Sequence, residues 1–436
     1  MIPTLPDPFV LISQFWQNPL IQAVWTQIAA WWWVPAPFML YALLWRIWVD
    51  YNFNRWAIEN ISTIYLELVP PKEIDKSPRA MERVLLGFHG IHKTVTPLEA
   101  YIEGQFNTSV NLEIHGTNKS TRFFVRVWDK FRNLVEAQVY AQYPKAEIRL
   151  LPKEDNFMYS IPANVPNEEW EMFGAEYGLR NPDYYPLASY IEDELDKEEE
   201  EERKIDPIAN LVEIFNTLKD DQQIWVQYKC TPHVKWKAEG EKKIRQIAEL
   251  EKEEEISFLG KAASDTVYST LAALATFGSE EEEVHKKEER VRRFLTPSEH
   301  DEIAAIDHKI SKHGFFTSVR WAYITPKQTF DKTYVNAMQG AFKQWGSQTF
   351  NDFKWGKKTS TKVDNFFKRY RVRLRQRKMI KMFRWNDHSP YYKFIANTEE
   401  LATMFHLPGR AVPTPTLRRV EAKKSQAPGD IPLIER

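Results

Sequence analysis

Residues 20 to 49 read LIQAVWTQIAAWWWVPAPFMLYALLWRIWV, and no Lys or Arg precedes Arg46. Crossing a hydrocarbon core takes about 20 mostly apolar helical residues, and Val24 to Val49 supplies that length. The run therefore predicts a transmembrane helix over 24–50. Pro35 and Pro37 fall inside it, which membrane helices tolerate. Trp31, Trp32 and Trp33 mark one interface, and Trp45, Trp48 and Tyr51 the other, in the aromatic-belt pattern. A cleaved signal peptide is a poor fit, because there is no basic n-region and large aromatics follow the run. A buried core helix is the bland alternative. Asp7 is the one charged side chain before the run, whereas Arg46, Arg55, Lys72, Lys76 and Arg79 end or follow it. The positive-inside rule then gives a single-pass protein of the cell membrane, N-terminus outside and body cytoplasmic. Residues 1–23, with Phe9, Ile12, Phe15, Trp16 and Leu20, are expected to lie along the outer interface.

The chain has 436 residues, 43% hydrophobic and 27% charged, enough to build two or three packed domains. Its net charge of −1 conceals strong local asymmetry, so it identifies no partner. The single cysteine, Cys230, rules out an internal disulfide and the Cys-rich zinc sites.

Beyond the apolar run, periodicity predicts an α+β body. TIYLELVP (63–70) reads as a strand, and KSPRAMERVLLGFHGIH (76–92) as a helix capped by Ser77. SVNLEIHG (109–116) and TRFFVRVW (121–128) form a hairpin, followed by a helix over 129–143 and a strand over 145–151. Strand, helix, strand, strand, helix, strand is the split βαβ order of a ferredoxin-like domain, placed here at 51–190. EDELDKEEEEE (192–202) reads as part of a solvated acidic linker, 191–205. A second ferredoxin-like domain is expected over 206–345. It takes in a helix at 206–218, strands at 224–232 and 315–325, helices from Ala238, Thr296 and Pro326, and a charged helical insertion at about 250–295. The remaining region, 346–436, is a basic helical or extended segment with a Pro-rich tail.

No residues present a nucleotide-hydrolysing or nucleophilic signature. GFHGIHKT (87–94) and HGTNKST (115–121) lack the glycine spacing of a phosphate loop, and no G-x-S-x-G elbow occurs. His89/His92 and Cys230/His233 each offer two metal ligands, but neither pair has a second pair close by in sequence, so structural roles are expected. The chain reads as a non-enzyme with no catalytic residue, metal or cofactor. The basic segment is more informative: Lys354 to Arg384 holds thirteen Lys and Arg against one acid, Asp364. Lys368, Arg369, Arg371, Arg373, Arg375, Arg377, Lys378, Lys381 and Arg384 are mixed with Tyr370, Phe383 and Trp385. Cations neutralise phosphates and aromatics stack on bases, so nucleic acid is one reading. Anionic lipid and an acidic protein surface are the others. The alternating arginines fit an exposed strand or a helix charged all round.

YLELVPPKEIDKSPRAMERVLLGFHGIH (65–92), FIANTEELATMFHLPGR (394–410) and VPTPTLRRVEAKKSQAPGDIPL (412–433) resemble the N-terminal region of bacterial proteins related to type IV secretion and conjugation ATPases of the HerA/FtsK-like kind. YPKAEI (143–148) and ISKHGFFTSVRWAYI (310–324) are similar too. The resembling motifs are structural, and no phosphate-binding residue carries over. The resemblance implies a membrane-anchored, non-catalytic docking protein, oligomeric with a hexameric ATPase supplied by another chain, with DNA as a further ligand. It also implies that Leu401, Met404, Phe405, His406 and Pro408 form a docking element for the motor. The residues by themselves describe only a short helix capped by Thr398, with Glu400 in its first turn and an apolar face. A membrane-tethered nucleic-acid-binding protein without a motor partner is the alternative.

Overall fold

A computed structural model of the chain describes residues 17–31, 33–71, 76–152, 154–191, 206–248, 295–363, 366–387 and 391–409. Most of the expected outer segment, the acidic linker, the charged insertion and the Pro-rich tail lie outside these residues. The chain divides into two compact units, one of residues 1–62 and 93–107, the other of residues 63–92 and 108–436.

The first unit holds helices α1 (Pro19–Trp31) and α2 (Pro35–Asn60). They replace the single helix expected over 24–50, and their axes bend by 48° at the break between them. Pro35 explains the break: proline lacks an N–H and clashes with the preceding turn, but it suits the first turn of a new helix. No single helix among the described residues is long and apolar enough to cross a membrane, whereas α1 and α2 together meet that test as a bent pair. Phe38, Met39, Leu40, Tyr41, Leu43, Leu44, Ile47 and Trp48 are all exposed, so α2 is apolar on every side over its first half. Its second half packs on residues 99–106. Phe106 meets the rings of Phe53 and Trp56 at 6.0 and 5.2 Å. Gly104, at φ +77°, lies where a Cβ would run into the backbone of Asn52.

The second unit is built on one antiparallel sheet of nine strands. In chain order its elements are β1 (Thr63–Val69), α3 (Arg79–Phe88), β2 (Val110–Gly116), β3 (Thr121–Trp128), α4 (Arg132–Gln142), β4 (Glu147–Leu150), β5 (Trp170–Leu179) and α5 (Pro207–Asn216). Then come β6 (Gln223–His233), α6 (Lys237–Ile247), α7 (Pro297–Ser311), β7 (Gly314–Pro326), α8 (Thr333–Lys343), β8 (Phe353–Trp355), α9 (Lys368–Trp385), β9 (Phe394–Asn397) and α10 (Thr398–Met404). The strands lie in the order β4-β1-β3-β2-β6-β7-β5-β8, and β9 also pairs with β7. Both halves thus repeat the order fourth, first, third, second, mirrored about the β2–β6 ladder.

β5, which sequence patterning grouped with the first region, pairs with β7 and β8. The expected charged insertion falls in the connection from β6 to β7. α3 begins two residues after Ser77, whose side chain does not cap it. The start of α7 follows the sequence closely: Thr296 and Glu299 form a capping box, with Pro297 in the first turn.

Alternation along the strands gives the sheet two different faces. Leu112, Ile114, Val226 and Tyr228 join one core with apolar residues of α3, α4, α5, α8 and α10. Each large apolar side chain buried there contributes roughly 1.5–3 kcal/mol. On the opposite face Tyr65, Phe124, Met172, Trp225 and Ile324 form a second core with Phe157, Met158 and three residues of α9. That face also buries Asn111, Glu113, Glu176, Gln227, Lys229 and Arg320.

Candidate nucleic-acid interface

The basic segment forms α9, a helix with one packed stripe rather than a strand. Gln376, Met379, Ile380, Met382 and Phe383 are buried. Its end is closed by Asn386 in the left-handed region, φ 59°. The last carbonyls of a helix have no intrahelical partner. Here basic side chains from the sheet meet two of them and the two carbonyls just past the helix. Arg126 donates to Phe383 O and Arg384 O at 2.9 Å each. Arg320 donates to Asp387 O at 2.8 Å, and Lys229 donates to Asn386 O. Positive groups at the negative end of the helix dipole are favourable. Burial, then repulsion from Arg320 and Arg126, pushes the Lys229 amine well below its ordinary pKa. Glu113 accepts from Gln227 at 2.6 Å, and Gln227 accepts from Arg320 at 2.5 Å. Burial raises the Glu113 carboxyl.

Held at that end, α9 exposes Lys368, Arg369, Arg371, Arg373, Arg377, Lys378 and Lys381 to solvent. Arg375 and Arg384, expected among the ligand-contacting cations, have other work. Arg375 donates to Lys357 O and Ser360 O at 3.0 and 2.8 Å, which ties the preceding loop to the helix. Arg384 donates to Met158 O at 2.9 Å and Ile161 O at 2.7 Å. Both guanidiniums are committed to backbone carbonyls.

Beside α9 a cleft of about 480 Å³ is lined by Lys354, Trp355, Lys357, Lys358, Tyr391, Tyr392 and Lys393, with Asp183 and Asn181 among its other residues. That volume lies in the range of small-ligand sites. The Lys358 amine sits 4.7 Å from the centre of the Tyr391 ring, and the Lys378 amine of α9 lies 5.6 Å from the same ring. Tyr391 therefore joins helix and cleft into one cationic surface. The Tyr392 hydroxyl accepts from Lys358 N at 3.0 Å, and its ring needs the space above Gly178, where a Cβ would lie 3.0 Å from Tyr392 Cδ1. Asp183 is occupied by Ile395 N at 3.0 Å, and burial raises its carboxyl. Amines that neutralise phosphates beside rings that stack on bases are the elements of a single-strand site. The sequence signal for this site was the pair KWGKK (354–358) and YYK (391–393), two short runs joined only by the fold.

Residues 60–419 match the family model described as a domain of unknown function, DUF8128. The chain belongs to this family. No curated protein matches it. The DUF8128 span begins at the last residue of α2 and takes in the sheet, the cleft and α9.

The expected motor-docking element of this DUF8128 protein is part of its own core. Leu401, Met404, Phe405 and His406 are buried, as is Pro408. Apolar side chains of α10 join the core shared by α3, α5 and the sheet. Asn397, not Thr398, is the cap, in a capping box with Glu400. Glu400 and Lys309 form an ion pair at 2.9 Å. Glu399 meets Lys312 at 2.8 Å and His308 at 2.9 Å. His406 Nε2 lies 3.0 Å from Asp206 Oδ1, and Asp206 caps α5 through Ile208 N.

The histidine pair His89 and His92 is joined by His313, whose ring centre is 4.7 Å from that of His89. Burial lowers the His89 pKa, and the neighbouring rings of His313 and His92 lower it further. Cys230 is buried in β6, and burial pushes its thiol up to about 12. Among the described residues, no group of three or more His, Cys, Asp or Glu has the arrangement to hold a metal ion.

Proposed function

We propose that the DUF8128 chain is a membrane-anchored, non-catalytic protein that holds a single nucleic-acid strand on the surface formed by the cleft and α9. Its body is read as two ferredoxin-like α+β units joined edge to edge. The bent pair α1–α2 is read as the membrane segment, with the body on the cytoplasmic side. The observation that carries the binding reading is the Tyr391 ring, flanked by the amines of Lys358 and Lys378. Lys354, Lys357 and Lys393 line the cleft around it. Such a surface tracks a phosphate backbone and stacks bases without reading sequence. The motor ATPase implied by the family resemblance remains a candidate user of the bound strand, and the burial of Leu401 to Pro408 speaks against docking there.

The test is fluorescence anisotropy of labelled single-stranded oligonucleotides of mixed sequence, titrated with the detergent-solubilised full chain across a salt series. The reading predicts sequence-tolerant binding whose log affinity falls linearly with log salt. Absence of binding at low salt contradicts it.

A further inference from the structure

The first two turns of α9 carry a second surface of different composition. Phe366 and Phe367 are 90% and 82% exposed, and Tyr370 and Leu374 are exposed as well. Tyr370 and Leu374 stand at i and i+4, on one face of the helix. Lys368, Arg369, Arg371 and Arg373 are interleaved with them and exposed. Phe367 holds φ 58°, ψ 34° just before the helix. A bulky side chain in the left-handed region is a strained arrangement. The buried stripe of α9 begins only at Gln376, so this tip is not part of the core.

We propose that this tip is an interfacial contact for anionic phospholipid: its phenyl and leucyl groups enter the headgroup–acyl boundary while its four cations face phosphate. One observation selects lipid over nucleic acid here: the aliphatic Leu374, exposed beside these rings, has neither a hydrogen-bonding group nor a ring face for a base. Apolar residues and cations on one short helical segment are the makeup of an interfacial element, in which buried apolar area and attraction to anionic lipid add together. The inference rests on the membrane-anchored reading only in supplying a bilayer nearby. Two residues, Ile61 and Ser62, separate α2 from β1.

The chain's single cysteine, Cys230, is buried, so a polarity-sensitive dye can be attached selectively to a Tyr370→Cys variant. The full-length labelled protein is reconstituted into nanodiscs of phosphatidylcholine, with or without phosphatidylglycerol, each containing a spin-labelled lipid as quencher. The expected result is a blue shift and quenching in the phosphatidylglycerol discs alone. Arg371→Ser and Arg373→Ser should each lower the bound fraction's equilibrium by about fivefold, and Phe366→Ser should abolish the blue shift. If the dye responds equally in both disc types, or responds to neither and instead to added oligonucleotide, the proposal is overturned. If the chain fails to enter discs, the anchoring reading fails. The same label is then read against phosphatidylglycerol vesicles, where an unshifted spectrum overturns the tip proposal independently.

Discussion

Lys309 and Glu400 meet at 2.9 Å with both side chains sealed from solvent. The amine also donates to Tyr185 O at 3.0 Å, and the carboxylate accepts from Leu187 N at 2.7 Å. The pair thus locks α7 and α10 to the loop that follows β5. Removing one partner leaves a buried ion uncompensated. Lys309→Met is expected to destabilise the second unit by about 3–5 kcal/mol, read as a lowered denaturation midpoint. Combining it with Glu400→Gln should recover part of the loss, since the amide oxygen still accepts and no charge is stranded. Equal stability of Lys309→Met and parent would contradict the pairing.

The pair of Glu399 and His308 makes stability pH-dependent at both ends. Burial raises the Glu399 carboxyl, but hydrogen bonds from His308, Lys312 and Ser189 outweigh it and hold it at about 2. A depressed carboxyl contributes stability above its unfolded value, about 4.3, which is lost as pH falls toward 2. The same hydrogen bond raises the His308 pKa. A raised imidazole contributes stability below about 6.5 and loses it as pH rises through its folded value. The denaturation midpoint should therefore fall on either side of the mildly acidic range, and His308→Gln should remove the alkaline limb and, by losing one of the groups that hold Glu399 down, make the acid limb shallower.

Arg320 anchors α9. Its guanidinium donates to Asp387 O and lies 5.3 Å from the centre of the Phe383 ring. Arg320→Met should cost about 3–5 kcal/mol by stranding buried carboxylates and should loosen the C-terminal end of α9. Limited trypsin digestion reads this as faster cleavage between Lys368 and Lys381. An unchanged digestion rate would show that the helix is held elsewhere.

Much of the fold was legible because its signals are local. The β2–β3 hairpin, the start of α7 at Thr296-Pro297 and the extended 315–325 run follow from alternation and turn chemistry. The join between halves was not, because β2 and β6 pair across more than a hundred residues and alternation does not name a strand's neighbour. β5 was missed because Glu171, Glu176 and Gly178 interrupt its apolar pattern. Glu176 is polar because it lies opposite Arg320 in the β5–β7 ladder. In α9, composition gave the cations but not their division of labour. Nothing in the sequence separates Arg375 and Arg384, bound to carbonyls, from the free-facing Arg373 and Arg377. The burial of Leu401 to Pro408 was not legible because an apolar helix face looks the same whether it meets another chain or the core of its own chain.

The cationic cleft bears most directly on the proposed function. Replacing Lys354, Lys357, Lys358 and Lys393 with Ser removes its positive charge while leaving the carbonyl of Lys357 to accept from Arg375. The decisive measurement is the salt dependence of single-stranded DNA affinity for parent and quadruple variant, with circular dichroism establishing that both are folded. Four lost phosphate contacts should weaken binding at low salt and reduce the magnitude of the slope of log affinity against log salt by about 3. Affinity and slope identical to the parent's across the series would place the nucleic acid elsewhere and contradict the assignment of the cleft.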